Sequence, residues 1–345
     1  MKKLKVRIHD VAALAGVSVG SASRVLNQVA NVSPEVRAKV ERVMEELQYQ
    51  PSHVARALRS RSSKTIGCLF SDVTNPLYAR AFRALEERFR TEGYMLLLAN
   101  GLGDAQREAE ILQTFQLRGM DGVIYAPGQE QNPRLVEQVS HLPMPVVLYD
   151  RELPAPHADA VLFDHVNGVR DVCHTLFEFG HERIALAMWS AGSRPVIRRI
   201  EGYESAYREH GIATPNLILR QPTATSSVFD DLLCLLEAPA PPTALIAQGT
   251  HILVSAIRAV LKTGRRIPQD FSVVGVGDSD FSQTHDPAIT VINTNSERVA
   301  MHAAKLLLDR VSGFVPPNAP ARQITVPYEL IERESWGPCR RGGYD

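Results

Sequence analysis

The chain has 345 residues, too many for one small domain and enough for two or three folding units. It is 44% hydrophobic and 22% charged, the balance of an ordinary globular protein, which excludes a disordered chain. Lys+Arg and Asp+Glu both number 38, and that net charge of zero argues, as a whole-chain figure, against a nucleic-acid partner.

The basic start, Met1 to Arg7, leads into a mixed helical pattern, so no secretory signal is expected. No run of about 18 apolar residues predicts a membrane helix. Cys68, Cys173, Cys234 and Cys339 are widely spaced without a CxxC pair, which fits reduced thiols and a cytoplasmic protein. The charge, however, is divided. Residues 1–64 hold twelve basic and five acidic side chains, a net of +7; the remainder holds 26 and 33, a net of −7. Such asymmetry points to a basic reader on an acidic body.

Apolar residues at Ile8, Val11, Ala12, Leu14 and Ala15 predict a first helix, stopped at Gly16. Ser18 is a natural cap for a second helix over about Val19 to Asn27, with Ala22, Val25 and Leu26 inward. Ser33, Pro34 and Glu35 open a third, whose inner face is Val36, Val40, Val43, Met44 and Leu47. Three short helices with a tight turn between the first two describe a helix-turn-helix domain. In the second helix, Val19, Gly20 and Ser21 are short enough to let its backbone approach base edges. Val19 can touch a thymine methyl, and Arg24 can donate twice to a guanine. Ser18, Ser23, Asn27 and Asn31 are placed to bond phosphates.

The run from Ile8 to Ser18, then Ser23-Arg24-Val25-Leu26-Asn27, resembles the N-terminal signature of the lactose-repressor (LacI/GalR) family of bacterial transcription regulators. Val32 to Arg37, Tyr49 to Ser52 and Ala55 to Leu58 continue the resemblance, which covers nearly all of residues 7–60. Arg7 departs from it, standing where the family usually has a capping Thr. The resemblance implies double-stranded operator DNA as partner and a homodimer. It also implies a hinge helix over residues 52–60 that inserts a leucine into the minor groove. Leu58 falls at that position, with Ala55 and Arg56 beside it, and such a wedge unstacks a base step.

Beyond residue 64 short apolar segments alternate with helices. Strands are expected at 65–70, 94–99, 121–125, 145–150, 183–188, 244–247 and 271–276. Helices are expected near 76–92, 105–117, 165–180, 197–211, 226–237 and 250–264. Strands this apolar belong to parallel sheets covered on both faces, so two doubly wound α/β lobes are predicted. The family resemblance, moderate across 65–335, implies a sensor like a sugar-binding periplasmic protein, with the chain crossing between lobes three times. The expected organisation is a helix-turn-helix domain (1–50), a hinge (51–64) and a sensor (65–335). Its first lobe spans about 65–163 and 293–322, its second about 164–292 and 323–335; a disordered tail (336–345) follows.

Ligands in such sheets bind beyond the carboxyl ends of the strands. Tyr78 can cover an apolar ligand face; Asn100 and Asp150 end strands and can bond hydroxyls. Arg199, three residues before Gly202, falls where the family keeps an arginine in the cleft. Gly249, Thr250 and Gly277 stand where usual sugar ligands are missing, and Gln248, Thr250, His251 or Asp278 can substitute. The expected effector is a sugar, a sugar acid, a phosphosugar or a nucleobase; the alternative left open by these departures is that no small effector binds.

No catalytic residue, cofactor, metal site or membrane partner is expected. Gly275 to Asp280 lacks the third glycine of a dinucleotide fingerprint, and no nucleophile elbow is present. His165, His174 and His181 lack Cys or Glu partners at metal-like spacing, which leaves them core, capping or surface roles. Asp278, Asp280 and Asp286 lack a calcium loop. The competing reading is a stand-alone sugar-binding protein of the periplasmic type, which fits the body but not the basic N-terminus.

Overall fold

The computed structural model describes residues 6–26, 31–49, 62–190, 192–222 and 227–339. They fall into two compact units, Met1–Lys64 and Thr65–Asp345. Among the described residues no helix is long and apolar enough to cross a membrane.

The first unit is the expected trio: α1 (Ile8–Leu14), α2 (Val19–Leu26) and α3 (Pro34–Glu46). Val11, Ala12, Ala22, Val25, Val40 and Val43 form its core. Without a threonine cap, α1 is opened by Asp10, whose carboxylate accepts the Arg7 backbone N–H at 2.7 Å. Ser33 caps α3 through the Val36 N–H, with Pro34 at the first helical position. Leu14 belongs to the apolar spacing of α1 but lies 61% exposed, outside this small core. Asn27 and the expected hinge residues Ala55, Arg56 and Leu58 lie outside the described residues.

The second unit contains two six-stranded sheets. The first is built from β1 (Thr65–Phe70), β2 (Met95–Asn100), β3 (Gly122–Ala126), β4 (Val146–Tyr149), β5 (Asp159–Phe163) and β11 (Gln323–Val326). Its order is β2-β1-β3-β4-β5-β11, all parallel. The second is built from β6 (Ile184–Trp189), β7 (Ile218–Gln221), β8 (Ala244–Gln248), β9 (Ser272–Val276), β10 (Thr290–Asn293) and β12 (Glu329–Ile331). It repeats the order as β7-β6-β8-β9-β10-β12, parallel except for β12.

Helices cover both faces of each sheet, as the apolar strands require. In the first lobe α4 (Pro76–Thr91) and α12 (Ser296–Val311) share one side; α5 (Ala105–Leu117) and α6 (Pro133–Ser140) take the other. In the second lobe α7 (His165–Glu178) and α8 (Arg194–His210) lie opposite α9 (Phe229–Glu237) and α10 (Gly249–Lys262). Helices α7 and α8 meet closely: any Cβ at Gly202 would stand 2.3 Å from the Val166 carbonyl oxygen. A short α11 (Asp280–Thr284) follows β9.

The chain crosses between lobes after Phe163 and after Asn293, the latter one residue beyond the expected Ile292–Asn293. The third crossing corrects the expectation at Arg322–Gln323. Residues 323–326 pair with β5 in the first sheet, so the crossing falls at Pro327–Tyr328. The tail also differs. Trp336 is buried against Phe179, and the Gly337 carbonyl accepts from His181 Nε2 at 2.9 Å. Residues 336–339 are therefore packed, because an indole and a backbone carbonyl there complete the second lobe.

Asp159, at the start of β5, ties the far end of the first lobe. It is fully buried and takes hydrogen bonds from Arg310 at 2.6 and 2.8 Å and from Arg322 at 2.8 and 3.1 Å. Burial alone would raise its pKa, but those donors outweigh it and hold the carboxyl below the usual range. Asp159→Ala would remove the carboxylate that two guanidinium groups share, leaving them only Asp309 and backbone carbonyls. We expect a loss of about 3–5 kcal/mol in urea unfolding; a loss under about 1 kcal/mol would show that water replaces the carboxylate.

Candidate functional site

Two surfaces carry candidate residues. In the first unit, Ser18 opens α2: its Oγ accepts the Ser21 N–H at 3.1 Å and lies 2.9 Å from Ser21 Oγ. Both hydroxyls thus have a local capping role. Gly20 is exposed, and the point where its Cβ would stand is 3.7 Å from Ser18 Oγ and 3.9 Å from Arg24 Nη2. Arg24 therefore folds back over Gly20, one turn earlier. The start of α2 presents small side chains and one long cation, a face able to enter a groove closely. Val19 is half-buried and packs on the core, leaving only part of it for a base edge. Ser23 is half-buried and Asn31 exposed.

In the second unit a cavity of about 1030 Å³ lies where the carboxyl ends of the two sheets face each other, a size suited to a small ligand. The loops after β1, β3, β4, β6 and β8 supply most of its lining. Four of the eight expected residues line it: Tyr78, Asp150, Arg199 and Gln248. Four do not. Asn100 Oδ1 accepts from the Val73 and Leu102 N–H groups and ties two loops together. Asp278 is paired with Arg333 at 3.0 Å and accepts from Ser282 and Gln283 at 2.8 Å each. Thr250 and His251 lie in the first turn of α10, off the cavity, while the adjoining Gly249 lines it.

Asp150 is the hub of the cleft. It sits at φ 52°, where its N–H donates to Val161 O at 2.7 Å. Its carboxylate takes the Phe163 N–H at 3.1 Å, His165 Nε2 at 2.9 Å and, from the second lobe, Arg194 Nη1 at 3.3 Å. Burial works against its charge, but His165, Arg151 and Arg194 together hold its pKa below the usual range. Burial lowers the His165 pKa to about 4 against the pull of Asp150, helped by Arg199 and Arg194. His165 is thus a neutral donor to the carboxylate at pH 7. Glu130 forms a second tie: Arg151 Nε is 3.2 Å away, and the Arg194 N–H donates at 2.8 Å.

Arg151 also donates to Tyr78 Oη at 2.9 Å, and the Tyr78 ring stacks on Phe70 at 4.4 Å. On the other wall Trp189 lies parallel to His251. Arg199 is 4% exposed, and its Nε and Nη1 have no hydrogen-bond partner. Burial, with Arg151 and Arg194 nearby, draws its pKa down to about 10 despite Asp150.

Sequence reasoning missed Glu130, Arg151 and Trp189 as cavity-lining residues, and His165 and Arg194 as the buried groups bonded to Asp150. A signal existed for two of them: Arg151 follows a strand-end aspartate, and Arg194 precedes Pro195 at a helix start. Glu130 is in a loop, and His165 looks like a lone helix-capping histidine.

Residues 7–52 match the model of bacterial regulatory proteins of the lacI family, and residues 173–336 match a periplasmic binding protein-like domain. The chain is 30% identical to the ribose operon repressor of Haemophilus influenzae over 329 residues, 95% of this chain and 98% of that protein. It is also 30% identical to the transcriptional repressor PurR of Aliivibrio fischeri over 309 residues, 88% of this chain and 91% of that one. The lac repressor dimer bound to operator and an anti-inducer superposes with a TM-score of 0.83 at 25% identity, covering 96% of this chain and 99% of that one. A lacI-family regulator from Enterococcus faecium with bound ribose gives 0.70 at 26%, covering 80% and 100%.

The Asp150–His165 pair sets a pH dependence. The depressed histidine pKa means that the unfolded chain takes up a proton before the folded one does, so stability falls as pH drops from about 6.5 towards 4. Asp150, also depressed, adds loss in the same direction at lower pH. The histidine's share is on the order of 3 kcal/mol. His165→Gln should flatten the fall in melting temperature between pH 6.5 and 4; an unchanged slope would place the dependence elsewhere.

Proposed function

The chain belongs to the lacI family of bacterial regulatory proteins, and on that premise we propose that it is a cytoplasmic, dimeric repressor of a near-palindromic operator, controlled by a small effector in the cleft. It is a DNA-binding transcriptional regulator and not an enzyme. The observation that carries this reading is the face of α2: exposed Gly20, the Ser18–Ser21 cap and Arg24 folded over the small residues. A stand-alone binding protein would have no use for such a helix.

One recognition helix reads one half-site, so two copies are needed for a palindrome. Ser18, Val19, Gly20, Ser21, Ser23, Arg24, Asn27 and Asn31 make the groove and phosphate contacts in this proposal. The hinge residues Ala55, Arg56 and Leu58 add the minor-groove contact. The effector site uses Tyr78, Asp150, Arg199 and Gln248, with Arg151 and Trp189 added from the geometry. The relatives' names speak of ribose operons and of PurR, which supports a sugar or a nucleobase as the class to try first. An effector that binds one arrangement of the lobes better than another shifts the population and so the DNA affinity.

Arg24→Ala should weaken operator binding by about 1–3 kcal/mol and relax base preference in a fluorescence anisotropy titration. Equal weakening on every sequence would make Arg24 a phosphate contact. Leu58→Ala should reduce the DNA bend seen in gel phasing and lower specific affinity. A bend of wild-type size would remove the wedge.

A further inference from the structure

The carboxylates that face the cavity are already paired within the protein. Glu130 takes Arg151, the Arg194 N–H and the Glu152 N–H; Asp150 takes His165, Phe163 and Arg194. Asp72 accepts the Thr74 N–H at 3.0 Å and the Thr74 hydroxyl at 2.7 Å. Arg199 is different. It lines the same cavity, is almost fully buried, and has two nitrogens that meet no acceptor. A buried guanidinium left this way is costly to the free protein. The residue borders the cavity, the side from which a ligand can supply an acceptor.

The second-lobe wall around Arg199 adds an independent feature. Trp189, Ser190, Ser193, Pro222, Gln248 and Gly249 line it without a single carboxylate. Helix α10 opens at Gly249 on that wall with no side-chain cap, so its positive end is not answered by a local side chain. The wall that family resemblance would furnish with an aspartate is thus neutral, with one cation beside it whose Nε and Nη1 meet no acceptor.

We propose that the effector carries a carboxylate held by Arg199, on a small hydroxylated body. This rests on the cleft being the effector site. The planar guanidinium fork fits a carboxylate through two parallel hydrogen bonds. One carboxylate also matches one positive charge. A phosphate monoester, with a charge of about −1.5 to −2 at pH 7, would leave an excess buried anion. A neutral sugar would supply acceptors but no charge. Asn75, Ser190 and Gln248 line the cavity for hydroxyls, and Tyr78 and Trp189 offer flat faces.

The test uses the full chain, with melting temperature and titration calorimetry at pH 7. The probes are gluconate, galactonate and glucuronate, set against glucose, galactose, ribose, glucose 6-phosphate, adenine and hypoxanthine. The proposal expects at least one acid to raise the melting temperature while its neutral counterpart does not. Arg199→Met should weaken binding of that acid at least about tenfold. The same substitution should leave the melting temperature of the free protein equal or higher, because two buried donors without acceptors are gone. If Arg199→Met fails to fold, Arg199→Lys carries the test: it keeps the charge, loses the fork, and must also bind the acid at least about tenfold more weakly.

Stabilisation by a neutral sugar, a nucleobase or glucose 6-phosphate, with none by the acids, overturns the carboxylate and leaves the cleft reading standing. An acid that stabilises wild type and both variants equally binds elsewhere and overturns it too. Silence from every probe takes the effector reading down with it.

Discussion

The buried carboxylate of Asp150 is the interaction on which the body's two-lobed form depends. It stands at the end of β4, accepts from the backbone where the chain leaves the first lobe, and from His165 just after that crossing. Arg194 reaches it from the start of α8 in the second lobe. A charge taken this far from water survives only when well supplied with donors. The donors come from both lobes, so this one anion specifies how the strand ends face each other. Glu130 repeats the logic with Arg151 and the Arg194 backbone. Between these ties the walls stay open enough for a ligand.

The same reasoning at larger scale explains the net charge of zero. The N-terminal 64 residues carry +7 and the remaining residues −7. Phosphate attraction is concentrated in the small unit, where α2 keeps its reading face free of bulk. The acidic excess belongs to the body, whose own business is with a small molecule. A single whole-chain number conceals this division.

Much of the fold was legible because its causes are local. Ser18, Ser33 and Pro34 mark helix starts by their own hydrogen-bonding and ring geometry, and β3 and β9 are buried throughout and almost wholly apolar because both faces are covered. Where a cause is distant the sequence was silent. Residues 323–326 join the first sheet only because β5 offers an edge some 160 positions earlier, so the third crossing was misplaced. Trp336 packs through Phe179, which lies far back in the chain. The cleft divides in the same way. Tyr78, Asp150, Arg199 and Gln248 stand at strand or helix ends, where topology alone directs them inward. Asn100 and Asp278 occupy similar ends, yet nearby donors claim them. Conversely Arg194 and Glu130 gain meaning only from each other.

The third crossing has a mechanical meaning. Strands β11 and β12 belong to different sheets, yet only Pro327 and Tyr328 separate them. At roughly 3.3–3.6 Å of reach per residue, this strap cannot lengthen. Proline has its φ fixed, and Tyr328 is anchored by its hydroxyl to Asp171 at 2.6 Å. With two further straps after Phe163 and Asn293, the lobes resemble two plates on a stiff leaf spring. They cannot slide apart. Any relative movement must be a rotation about the straps, which turns a small displacement of atoms at the cleft into a larger arc at the outer edge of each lobe.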